Sequence, residues 1–394
     1  MHVQQTLDNP EAPNSGIPRR MTAIGTKLQS AGWTTAVIGK WDAGMATHDH
    51  TPEGRGFNRS LIYYEHKVDY WTQTLMQSAC EQIAPATVDL WADGAPARTI
   101  NGTAYVEELF RARVLEIIKA HDFGSTPLYL LFTPHAAHCP LQVPRAALDA
   151  LNASVVPNDE ALCAAQTPYI FPGSTAADFR CRAQYSALVS IVDASVGAIV
   201  DAIRARGVWN ETLMLFSSDN GGPLELAESG ANNAPLRGGK YSDFEGGVRV
   251  AAFASGGYLP ASVRGTKNEG IVHIADVYAT VAGLAGVVDP TADPVAAAAG
   301  LPSIDSLDFW PLLSGANATS PRVEVPLSRT ALLHGQFKYM RGMNDFATWT
   351  GERYPNASSA AHNPANVRLN CTRGCLFDVQ GEYLDIVAKH PGRL

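Results

Sequence analysis

A chain of 394 residues with 46% hydrophobic and 17% charged residues can bury a sizeable core and is no disordered polymer. Its formal net charge of −8, with no basic run, argues against a nucleic-acid partner but leaves room for an anionic ligand at a locally positive site. No apolar stretch reads as long enough to cross a bilayer, so no transmembrane segment is expected.

In chain order, Met21, Ile24 and Leu28 recur at helical spacing ahead of Gly32, predicting a helix over 20–31. The β-branched run TTAVIG at 34–39 follows as a buried strand. A helix at about 104–121 leads past Pro127 to the strand LYLLFT at 128–133. Another at about 178–206 ends at Gly207 and leads to the strand LMLFS at 213–217. VRVAAFAS at 248–255 is a further apolar run, and 273–287 an Ala-rich helix. This alternation with long crossovers predicts an α/β fold, with a mixed, mostly parallel sheet sandwiched by helices. After about residue 316 the stride shortens, and FKYMRG at 337–342 and CLFDV at 375–379 read as strands of a small antiparallel sheet. The expected boundary lies near 325, giving a large domain at 1–325 and a C-terminal subdomain at 326–394. The stretch 288–302 is a biased loop, and no internal repeat is visible.

Seven N-x-Ser/Thr sites (Asn58, Asn101, Asn152, Asn210, Asn317, Asn356 and Asn370) exceed the roughly two or three expected by chance. Six cysteines, an even number, are compatible with disulfides. The opening MHVQQTLDNPEAPNSG lacks the apolar core of a signal peptide. A secretory-route protein whose leader is missing from this sequence is the expectation. Among fifteen possible connectivities, Cys371 with Cys375 and Cys163 with Cys181 are the pairings considered.

In open α/β sheets ligands sit beyond the C-terminal ends of strands. Three strand ends here carry reactive side chains: Lys40-Trp41-Asp42, His135 through His138, and Asp219-Asn220-Gly221-Gly222. An Asp and an Asn on a glycine turn offer oxygens that suit Ca²⁺ or Mg²⁺, although two ligands cannot fill the shell and DNG is also an ordinary turn. Arg237, Lys240 and Arg249 lie on a Gly-rich stretch where a lysine could approach an oxyanion. Lys40, closing an apolar strand, calls for a crevice to face. His138 alone reads more readily as a capping or surface group than as a catalyst.

The order and company of these signals carry more than any one of them. AGWTTAVIGKW, GRGF at 54–57, LYLLF, HCPLQVP, FSSDNGG, NNAPLRGGK, EGGVR, HIADVYAT, FWPLLSG and CLFDV resemble, in order, the sulfatases that use formylglycine, and most closely their arylsulfatase B-like members. The resemblance implies an alkaline-phosphatase-like fold and sulfuric ester hydrolysis on a sulfated small molecule or glycan. It implies Asp219 and Asn220 as calcium ligands, and Lys40 and Lys240 as sulfate-binding lysines. His138 would assist leaving-group departure. The family's nucleophile arises from a cysteine in C-x-P-x-R, and none of the six cysteines begins that motif. The expectation is that this motif and two further metal-binding aspartates belong upstream of Met1, and that the chain by itself is inactive and binds calcium weakly. Asp42 stands where the family usually has histidine in G-K-W-H, the candidate base for the elimination step; an aspartate there needs tuning by lysines and metal. A catalytically inactive sulfatase-like protein that binds glycan or a partner is the alternative, and a phosphatase or phosphonate hydrolase of the same superfamily is a third reading.

Overall fold

A computed structural model describes residues 16–76, 87–151, 170–175, 181–223, 230–347 and 368–379, and the backbone of 386–387. Two units emerge, the first from residues 1–140, 191–212 and 272–321, the second from 141–190, 213–271 and 322–394.

The first unit is organised by the β-branched run at 34–40. Strand β1 (Thr34–Lys40) is buried along Thr35–Gly39, which only a central strand allows. It lies between β2 (Arg59–Tyr63) and β5 (Leu128–Thr133), parallel to both, with Lys40 opposite Tyr63 and Gly39 opposite Thr133. Two short antiparallel strands, β3 (Trp91–Ala92) and β4 (Ala95–Pro96), extend the sheet beyond β2. Helices α1 (Ile24–Ser30) and α2 (Val106–Ala120) pack against β1. The apolar stripe of α2 is Val106, Phe110, Val114, Ile117 and Ile118, spaced as one helix face requires. Its first turn carries Glu107 and Glu108, where the helix dipole favours negative charge. Beside β1, Val37, Ile62, Phe57 and Tyr64 form a core into which Trp41, Trp91 and Tyr129 pack.

A short helix, α3 (Arg145–Asp149), precedes the long α4 (Cys181–Ala205). α4 corrects one expectation, because its 25 residues include a stretch long and apolar enough to cross a membrane. Core helices of globular proteins pass the same test, and Gln184, fully buried, donates to the Leu141 carbonyl at 2.7 Å.

In the second unit β6 (Met214–Ser217) pairs antiparallel with β7 (Ala252–Ser255). The apolar run at 248–255 is therefore only half strand. Its start belongs to a turn of helix, α5 (Glu245–Val248), where the close approach of Gly246 and Gly247 to the 237–239 backbone leaves no room for side chains. Helices α6 (Asp276–Leu284), α7 (Pro294–Ala298) and α8 (Trp310–Leu313) belong to the first unit, with α7 in the expected loop. Asp293 caps α7 through Ala296 N–H and also takes the Thr22 hydroxyl at 2.8 Å. The second unit closes with an antiparallel sheet in the order β12 (Ile386–Val387), β11 (Leu369–Asp378), β10 (Phe337–Asn344), β9 (Ala331–His334), β8 (Glu324–Pro326). Phe244, Met340, Phe377 and Cys371 form its core, and Cys371 is disulfide-bonded to Cys375. Cys181 is also disulfide-bonded, while Cys163 lies outside the described residues.

Candidate active site

Backbone geometry at the end of β1 places the first set of residues. Gly39 has a φ of +117°, and a Cβ there would run into the Thr133 carbonyl, so β1 and β5 approach as closely as glycine permits. The Thr133 hydroxyl donates to the Lys40 carbonyl at 2.7 Å, fixing the strand end. Trp41 turns back into the core and donates its indole N–H to the Gly44 and His50 carbonyls, each at 2.9 Å. Between these anchors Lys40 and Asp42 project as partly exposed side chains with Nζ 3.1 Å from Oδ2. The same Oδ2 lies 2.9 Å from Nδ1 of His66. Burial pulls the Asp42 carboxyl upward, but the hydrogen bond to His66 and the charge of Lys40 outweigh it and hold the group below its usual 3.8.

Beyond β5 the chain turns through His135 to His138. His135 is 2% exposed, stacked on Tyr70 at 4.1 Å between centroids, and neither ring nitrogen has a hydrogen-bonding partner among the described residues. Burial, then the charges of His138 and Lys40, keep its pKa well below 6.5, against an upward pull from the Cys139 backbone. The turn is held from α2, where Glu107 accepts the Ala136 N–H at 2.7 Å. The Tyr70 hydroxyl donates to the His138 carbonyl at 2.8 Å. The His138 ring lies 5.9 Å from that of His135, and its Nδ1 is 2.8 Å from the Cys139 carbonyl, which favours Nδ1–H and leaves Nε2 as the other ring nitrogen.

The second unit holds the other expected residues. β6 delivers Asp219 and Asn220 on a turn clamped by Gly221 N–H to the Gly247 carbonyl at 3.0 Å. Asp219 Oδ1 accepts the Asn220 N–H at 2.8 Å, and Asn220 Nδ2 donates to the Gly221 carbonyl at 2.8 Å. Asn233 locks the turn by accepting from Gly222 N–H at 2.8 Å and donating to the Gly222 carbonyl at 2.7 Å. Lys240 N–H donates to that same carbonyl at 3.1 Å, so the lysine's backbone is tied directly to the glycine turn. Its Nζ sits 5.5 Å from the Tyr241 ring centroid. Arg237 and Arg249, neighbours on this stretch, have structural work: Arg237 is buried over Phe244 and donates twice to the Ala347 carbonyl, and Arg249 lies 3.8 Å from Glu245.

Asp219 and Asn220 supply hard oxygens of the type calcium takes. Among the described residues no group of three or more His, Cys, Asp or Glu side chains gathers as a metal cluster.

Sulfatase, as a family, matches this chain over residues 1–287. The chain belongs to the sulfatase family. Mouse arylsulfatase J is 27% identical over 324 residues, which are 82% of this chain and 47% of that protein. Dog N-acetylgalactosamine-6-sulfatase is 25% identical over 345 residues, 86% of this chain and 57% of that protein. This chain thus spans about half the length of these relatives. Among solved structures, Ps i-CgsB in complex with k-i-k-neocarrahexaose superposes with a TM-score of 0.68 at 23% identity, covering 97% of this chain and 72% of that one. That likeness establishes the sulfatase fold expected from the motifs.

Of Lys40, Asp42 and His138, which the sequence singles out, the structure brings the first two into an ion pair. Beside them stand His66, at Asp42, and Glu107, at the turn that carries His138, neither of which the sequence singles out. His66 sits in YYEHK with no motif around it, and only the unrecognised strand β2 brings it beside Asp42. Glu107 read as an ordinary first-turn helix acid.

Proposed function

We propose that the protein carrying this chain hydrolyses sulfate esters, with a sulfated small molecule or glycan as substrate. The observation that carries this reading is Lys40 held at the C-terminal end of a central parallel strand, in a chain whose family is sulfatase. Lys40 and Lys240 would offset negative charge on the sulfate oxygens as it develops. His138 would supply a hydrogen bond or proton to the departing oxygen. Asp219 and Asn220 would hold calcium, which when bound polarises the sulfate as a Lewis acid. The chain's six cysteines do not include the C-x-P-x-R nucleophile, so the chain by itself is expected to bind but not turn over. A glycan substrate is favoured by the carbohydrate bound to Ps i-CgsB and by the name of the N-acetylgalactosamine-6-sulfatase relative. The observed disulfides and the exposed Asn317 and Asn370, each bonded to the threonine of its own sequon, support a secretory-route location.

Asp42 in place of histidine supports a second reading, a non-catalytic binder of sulfated glycan. Turnover of 4-nitrophenyl sulfate separates the two. The assay uses this chain joined to a C-x-P-x-R segment and matured by formylglycine-generating enzyme. Sulfate release that disappears in the nucleophile Cys→Ala variant supports hydrolysis, and binding without release supports the second reading.

A further inference from the structure

Position 42 carries an aspartate where an imidazole is expected, yet the structure sets an imidazole against that aspartate. β1 and β2 run parallel with Lys40 opposite Tyr63, so the chain leaves both strands side by side. From β1 it turns through Trp41, whose N–H donates to the Tyr63 carbonyl at 2.9 Å, into Asp42, whose N–H donates to the Tyr64 carbonyl at 3.2 Å. Asp42 adopts a φ of +47°, the left-handed region, which aims its side chain off the strand direction. From β2 the chain runs through Tyr64 and Glu65, whose N–H groups are both taken by Asp89, at 2.8 and 2.9 Å, to His66. Both backbones are thus fixed before the side chains meet. They meet with His66 Nδ1 2.9 Å from Asp42 Oδ2, and Lys40 Nζ reaches the same oxygen at 3.1 Å.

We infer that His66 is the imidazole that takes up a proton at this site, beside His138 at the departing oxygen, and that it is supplied from the end of β2 and aligned by Asp42, which acts as its positioning residue. This rests on the sulfate-ester reading above. A carboxylate accepting from Nδ1–H fixes the tautomer, and Nε2 becomes the atom that takes up a proton. Uptake there, from a hydroxyl of the reacting system, gives an imidazolium beside the Asp42 carboxylate. No proton leaves Asp42, and release from Nε2 to the next acceptor resets the ring. Lys40 shares the carboxylate oxygen, so the aspartate brings no uncompensated negative charge toward an anionic substrate. His135 is unsuited to this work, because it is buried against Tyr70 and its charged form is opposed by burial and by His138, Lys40 and Lys67.

The test is long-range ¹H–¹⁵N NMR of the histidine- and lysine-labelled chain, with 4-nitrophenyl sulfate as the ligand probe. His66 is expected as the Nδ1–H tautomer, and Asp42→Asn should lower its titration midpoint by about one pH unit. Ligand should shift the His66 ring signals, and an Asp42→His, His66→Gln double variant should return a ligand-responsive imidazole to position 42. An Nε2–H tautomer, or a midpoint unmoved by Asp42→Asn, overturns the pairing even if the double variant does not fold. A ligand response at Lys40 with His66 unmoved overturns the role of His66 and spares the sulfate-ester reading. No response at either residue removes that reading and this inference together.

Discussion

Replacing Glu107 with glutamine tests how the turn that carries His138 is held. The Glu107 carboxyl is 2% exposed and accepts the Ala136 N–H at 2.7 Å. Burial pushes its pKa up from 4.5 to about 7, although the Ala136 and His135 N–H groups pull it down. Between those two values the folded protein keeps a proton that the unfolded chain has released. Stability therefore falls as pH rises through this window and levels off above about 7. The gap, at about 1.4 kcal/mol per unit, makes the penalty about 3 kcal/mol. Glutamine keeps a carbonyl for Ala136 and does not titrate. Glu107→Gln should match the wild type below about pH 4.5 and exceed its stability by up to about 3 kcal/mol at pH 8, less whatever the weaker acceptor forfeits. Asp89, pushed up to about 6 chiefly by burial, titrates in both proteins and cancels in the difference. Urea unfolding followed by circular dichroism at pH 5, 6, 7 and 8 reads the effect. A wild-type-minus-variant difference that is flat across this range would refute the reasoning.

Two further substitutions probe each unit. Lys338 is fully buried, 2.6 Å from Glu245 and 2.7 Å from the Asp243 carbonyl. Lys338→Met should cost about 3–5 kcal/mol by leaving Glu245 buried without its near partner, seen as a lowered urea midpoint; a loss below 1 kcal/mol, on the order of a surface pair, would contradict this. Gly39→Ala forces a left-handed φ and pushes a methyl into the Thr133 carbonyl. It should cost at least about 2 kcal/mol in thermal unfolding and displace Lys40, whereas an unchanged midpoint would show that β1 and β5 can part at low cost.

The fold was legible where apolar residues follow one another without a break. TTAVIG and LYLLFT read as strands because their apolar residues run on, and the structure gives β1 and β5 almost those bounds. β2 was not legible, because RSLIY has little β-branching and earns its burial from the neighbour it pairs with. That one omission hid His66. The helix at 245–248 was hidden for a related reason, since the close approach of Gly246 to the Arg237 and Gly238 carbonyls is a tertiary fact that periodicity does not encode. Asp219 and Asn220 stood out because a strand-end turn prints its chemistry locally, and Lys240 because it lies among glycines. Arg237 was visible as a cation but its place was not, because its bond to the Ala347 carbonyl spans 110 residues of sequence. Charge alone does not say which way a guanidinium points.

On the proposed reading, sulfate-ester hydrolysis depends on the lysine at the end of β1. Its most direct test is release of 4-nitrophenol and sulfate by the formylglycine-bearing protein, compared with the same protein carrying Lys40→Ala. Hydrolysis in the first and a loss of roughly 10²–10³-fold in kcat/KM in the second is the result expected of a residue that stabilises transition-state charge. Equal rates in the two proteins, or no hydrolysis from a protein shown to contain formylglycine, would contradict the account.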